Sequence, residues 1–180
     1  MTDITSLIEP DFTVAGQLVG TRNETTIRLT RYQNKGTPDI RMGGEHISLV
    51  TDESGHLKGL AKLLVRSACE PGDLPSEEEA HRIATEFFNT HAPDLLEAIE
   101  VKWIKPHTEE ITHNSKKHHL HGMKVKCKNQ WNGQYFWAVV GPDKKVMVFE
   151  RDVIWDFLKA GRQTEKWLHD HWLIKKNYTY

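Results

Sequence analysis

The stretch RYQNKGTPDIRMGGEHISLVTDESGHLKG, Arg31 to Gly59, decides the fold. It reads as a strand, a glycine-punctuated bend, a second strand, a four-residue turn and a third strand. In EHISLVTD, Ile47 and Leu49 alternate with Ser48 and Val50, the two-residue period of a strand. Asp52 to Gly55, DESG, is a turn: an Asp side chain bonds its own backbone, and Gly accepts positive φ. Beyond it HLKGLAKLLV sets Leu57, Gly59 and Ala61 against Lys58, Leu60 and Lys62. Upstream, TTIRLTRY places Ile27, Leu29 and Arg31 on one face and Thr26, Arg28 and Thr30 on the other. Gly43-Gly44 marks a bulge or a close approach before the second strand.

Working outward, SACEPGDLP is the best boundary, separating a β-rich half over residues 1–70 from a second half over 71–180. A helix follows. Ser76 and Glu79 form a capping box, and Ala80, Ile83, Ala84, Phe87 and Phe88 form one apolar stripe. Strands return with IEVKWIK, with HGMKVKCK, where Met123, Val125 and Cys127 alternate with lysines, and with QYFWAVVG, apolar on both faces. GPDKK is a hairpin turn leading to VMVFE. The C-terminal part reads as helical: RDVIWDFLKAG has Asp152 as N-cap and Gly161 as its stop, and TEKWLHDHWLIKK has Thr164 as its cap. The expected fold is α+β, with antiparallel sheets and helices packed on them.

Composition narrows the function classes. Of 180 residues, 38% are hydrophobic and 27% charged, as in a folded domain. Lys and Arg number 24 against 25 Asp and Glu, a balance that argues against a nucleic-acid binder. No apolar run is long enough to cross a membrane, and MTDITSLIEPDFTVAG has acids where a signal peptide has basic residues, so we expect a cytoplasmic chain with no membrane partner. Cys69 and Cys127 are expected reduced and buried in that compartment, with one bridge between them as the other reading.

With these pieces placed, RLTRYQNKGTPDIRMGGEHISLVTDESGHLKG resembles the amino-terminal propeptide module of thermolysin-like and fungalysin-like metallopeptidases. Arg28 or Arg31, Tyr32, Gln33, Gly36, Pro38, Gly44, Asp52 and Gly55 occupy its matching places. SEEEAHRIATEFF and YFWAVVGPDKKVMVFERDVIW resemble the opening helix and final hairpin of a PepSY domain, a cystatin-like unit. Thr37 and Asp39 depart from the apolar residues that flank the proline in that pattern, and HTEEITHNSKKHHLHG is an insertion. No HExxH zinc motif is present in the sequence, so the resemblance implies a fold and a binding style without peptidase activity. It implies a non-catalytic module that binds a protein or peptide, a peptidase included, and restrains it.

Two site candidates emerge. Trp155, Trp167, His171 and Trp172 concentrate aromatic surface near the C-terminus; they either cover the sheet or wall a groove for a peptide or small apolar ligand. Trp167, His171 and Trp172 are expected on one helical face, packed on the sheet near Trp137 or Trp155. In HHLH, His119 and His121 point to one side of a strand and can share a metal ion, with His107 and His113 as further ligands. The competing reading is a solvated loop in which Lys116 and Lys117 repel cations. Apart from that metal ion no cofactor is expected, and no residue is assigned a catalytic role. A small-ligand or metal-binding carrier or enzyme built on the Trp and His residues is the alternative function.

Overall fold

The computed structural model describes residues 3–180. Eight antiparallel strands form one sheet in the order β1-β2-β3-β4-β8-β7-β6-β5. The first meander is β1 (Phe12–Arg22), β2 (Thr25–Asn34), β3 (His46–Asp52) and β4 (Leu57–Leu63). The second is β5 (Ile99–His113), β6 (Lys116–Asn129), β7 (Tyr135–Val140) and β8 (Val146–Val153). They join where Gly59, Leu60 and Ala61 of β4 pair with Glu150, Phe149 and Val148 of β8. The DESG turn forms as its chemistry dictates: Asp52 Oδ1 accepts from the Ser54 and His56 backbone N–H groups, and Gly55 takes φ +81°.

The helix expected from Ser76 is α1 (Glu77–His91). Ser76 Oγ accepts from the Glu79 N–H, whereas the Glu79 carboxylate pairs with Lys144 rather than completing the box. The apolar stripe of α1 buries Ala80, Ile83, Ala84 and Phe88 against Leu60, Val125, Phe136 and Phe149 of the sheet. Phe88 meets Phe136 edge-on, with ring centroids 5.3 Å apart. Cys127 lies in the same core, where burial pushes its thiol up to about 12. Cys69 and Cys127 are both unpaired.

The C-terminal part overturns the α+β expectation, and the fold is β-rich. Val146–Val153 is a sheet strand, and the residues read as its helical continuation instead form a small hairpin, β9 (Trp155–Asp156) with β10 (Gly161–Arg162). Asp152, expected to cap a helix, has φ +57° inside β8, and the chain leaves the sheet after Val153, which still pairs with Tyr135. Gly161 lies in β10 instead of stopping a helix. Only Asp170–Lys175, here α2, is helical after that, and Thr164 caps nothing: its hydroxyl accepts from Ile154 N–H and donates to Asn23 Oδ1. Helix-like spacing of apolar residues misleads here because Trp167, Leu168 and Leu173 turn onto the sheet from an irregular path while Phe157 and Leu158 of the hairpin stay exposed, and tertiary packing overrides the local pattern.

This segment covers the sheet face opposite α1. Trp167 is 1% exposed, and its indole N–H donates to Thr21 O at 2.8 Å. It sits against Gly20, and Leu168 sits against Gly59, so closely that a Cβ at either glycine would collide. Arg31, fully buried, donates to Asp170 Oδ1 at 2.8 Å, to Gln33 Oε1 at 3.0 Å and to Arg41 O at 2.6 Å. Asp170 Oδ2 in turn accepts from the Gly43 N–H, at the glycine pair flagged by the sequence. One buried ion pair thus ties β2, the 35–45 bend and the C-terminal segment together.

Candidate functional site

On this second face the hairpin and the C-terminal segment leave a groove of about 700 Å³ between them. All four strands of the second meander supply its floor: His107 and Glu109 from β5, Lys124 from β6, Trp137 from β7, and Val148 and Glu150 from β8. Their side chains share a face because the pleat alternates and the strands pair in register, with Trp137 opposite both Lys126 and Glu150. Trp155, Gly161 and Arg162 of the hairpin form one wall, and Lys166, His169, His171, Trp172 and Lys175 form the other.

The electrostatics are uneven. Glu150 is 2% exposed and is held by Arg162, with Arg22 3.6 Å away. Burial by itself raises its carboxyl, but the His169 ring 3.9 Å away and the guanidiniums outweigh it and bring it down to about 2. Glu109 is similarly claimed by His107, whose Nε2 lies 2.8 Å from Oε1. Lys124 has no such partner among the described residues. Its ammonium lies 4.1 Å from the centroid of Trp137, and burial, with Lys126 nearby, lowers it to about 8. Three further cations, Lys124, Lys166 and Lys175, line the groove beside two carboxylates already engaged by Arg162 and His107. Such a surface attracts a negatively charged ligand and offers it aromatic walls.

Of the aromatic candidates, Trp155, His171 and Trp172 line this groove. Trp167 does not: it lies beneath, with Trp172 at 5.3 Å and Tyr178 at 4.6 Å between ring centroids, and holds the wall in place. The expected packing near Trp137 is seen for Trp172, which shares the second core with it. Sequence reasoning missed Lys124, Trp137, Glu109, Glu150 and Arg162 as groove residues. The lysines alternating with Met123, Val125 and Cys127 were the available signal, since they fix which side of β6 is polar.

The His-rich insertion is the far end of the β5–β6 hairpin, turning at Asn114 and Ser115 with φ of +50° and +62°. The His119 and His121 rings are nearly parallel, with centroids 6.5 Å apart. His121 Nδ1 is 2.9 Å from Thr108 Oγ1, and His119 Nδ1 is 3.9 Å from Glu110 Oε2. His107 belongs to the groove floor, while His113 faces His118 at 6.3 Å. Among the described residues no three His, Cys, Asp or Glu side chains converge as a metal site would require. No described helix is long and apolar enough to cross a membrane. Comparison with known proteins returns no matching family model, curated protein or solved structure.

Proposed function

We propose that this chain is a non-catalytic binding protein that holds an acidic segment of a protein partner in the groove, a peptidase being one candidate partner. The observation that supports it most is the convergence of Lys124, Lys166 and Lys175 with Trp137, Trp155 and Trp172 on one open groove whose carboxylates are already paired. Cations beside aromatic walls suit carboxylates flanked by apolar side chains. The three groove tryptophans make the test direct. Titration with a glutamate-rich peptide should change tryptophan fluorescence, a lysine-rich peptide of equal length should not, and Lys124→Glu should abolish the response. Loss of activity of a thermolysin-type metallopeptidase on mixing tests the inhibitory form of the reading. Stabilisation by small metabolites with no response to acidic peptides would instead favour a small-ligand carrier or enzyme.

A further inference from the structure

The groove is the deep end of a longer feature. Lys124, Lys126 and Lys128 follow one another at every second residue of β6, so their ammonium groups rise from one face at intervals of about 6.8 Å. Aromatic rings flank them on both sides. Lys126 lies 5.4 Å from the Trp103 ring of β5, 4.8 Å from the Tyr135 ring of β7 and 5.9 Å from Trp155 of the hairpin. Lys128 lies 5.8 Å from Tyr135, and Lys124 lies 5.8 Å from Trp103. Lys58, Lys62, Lys102, Lys117, Lys144 and Lys159 all form ion pairs. The three lysines of the row form none among the described residues, although all are partly shielded from water. Three half-buried like charges in a line, none in a direct ion pair, are costly in isolation: Glu109 and Glu150 near Lys124 and Glu100 near Lys128 offset their desolvation and mutual repulsion only in part.

We propose that the partner segment is an extended peptide with carboxylates at alternate residues, seated along Lys124, Lys126 and Lys128. This rests on the acidic-segment reading of the groove. An extended chain repeats its side chains on one face at the same interval of about 6.8 Å, so each carboxylate meets one ammonium in register. Residues between the carboxylates point away from the row. A single-stranded nucleic acid is the competing polyanion, but it binds by stacking bases on free aromatic faces. Here Trp103, Trp137 and Tyr135 already lie beside lysine ammonium groups.

Three fluorescein-labelled probes test the proposal by anisotropy: the peptide ESESESE, the peptide EEEESSS of identical composition, and an oligothymidylate ten nucleotides long. We expect ESESESE to bind about tenfold more tightly than EEEESSS. Lys126→Glu, checked for unchanged folding by circular dichroism, should weaken ESESESE about tenfold or more and reduce its advantage over EEEESSS. Equal binding of the two peptides would overturn the alternating register and leave the acidic-segment reading standing. Binding of neither peptide, or tighter binding of the oligothymidylate, would overturn both.

Discussion

The two faces of the sheet are covered in opposite ways. Over one face lies α1, and the core beneath it contains Ile47, Leu49, Leu60, Phe88, Phe136 and Phe149, with the buried Arg151 paired to Asp94 beside it. Over the other lies an irregular segment, and buried there with Leu29, Val139 and Trp167 are Arg22, Arg31 and Glu150. A helix bonds its own backbone internally, so it can seal a face with an apolar stripe alone. An irregular chain is fastened by its polar side chains instead: the Trp167 indole N–H donates to Thr21 O, the Thr164 hydroxyl donates to Asn23 Oδ1, and the Asp170 carboxylate accepts from Arg31. The same irregularity leaves a gap between hairpin and tail, and that gap is the groove. The helical face reads as architecture, and the irregular face combines architecture with recognition.

The hardest way to break this contrast is to delete residues 163–180. Trp167 alone should cost about 3–5 kcal/mol, and Arg31 left buried without Asp170 should cost about 3–5 kcal/mol more. Together these rival the about 5–15 kcal/mol that holds a typical domain folded. The truncated chain should therefore be unfolded or aggregated by circular dichroism. A melting temperature near that of the full chain would mean that the tail is only a docking arm.

Matched single substitutions sharpen the comparison. Phe88→Ala on the helical face and Asp170→Ala on the other should each lose about 3–5 kcal/mol in urea unfolding. Phe88→Ala should retain acidic-peptide affinity within about twofold, since it touches nothing in the groove. Asp170→Ala should weaken it at temperatures where the protein is still folded, because Asp170 anchors the wall that carries His171 and Trp172.

The faces should also differ in acid. The Glu150 carboxyl sits at about 2 when folded, against an ordinary 4.5. The folded state thus binds fewer protons at this site than the unfolded state does. Its stabilisation is complete above pH 4.5 and is lost as pH falls toward 2. Glu150→Gln should flatten the stability curve in that window, as seen in urea midpoints measured between pH 5 and 3. Phe88→Ala should shift the curve without changing its slope.

Smaller effects probe the edges of each covering. Gly20→Ala pushes a methyl into the Trp167 ring and should cost about 1–3 kcal/mol. Ser76→Ala removes the acceptor for the Glu79 N–H and should cost about 1 kcal/mol, read from thermal melts, with no effect on peptide binding.

What was legible in the residues follows the same division. Ile47 and Leu49, alternating with Ser48 and Val50, mark a strand, DESG marks its turn, and Ser76 marks the start of α1, because each signal is carried by atoms within a few residues; that the strand is buried on both sides was not legible. The polar side of β6 was legible too, since alternation alone places Lys124, Lys126 and Lys128 together. Trp155, His171 and Trp172 were recognisable as an aromatic concentration, and they line one groove. Hidden from view was everything requiring distant segments to meet. Nothing local to Gly20 or Gly59 says that Trp167 and Leu168 will press on them, and nothing local to Arg31 says that Asp170 will neutralise it.

Periodicity, turn chemistry and caps are short-range properties, so the chain alone determines its meanders, its one long helix and the chemistry of each strand face. The β-rich architecture of the C-terminal part, the closure of the second face and the groove within it depend on contacts between residues more than a hundred positions apart, such as Thr21 with Trp167 and Arg31 with Asp170. Those contacts override local helical spacing because burying Trp167 and pairing Arg31 contribute several kcal/mol, whereas the intrinsic preference for helix is worth only tenths of a kcal/mol per residue, about 0 to 0.7.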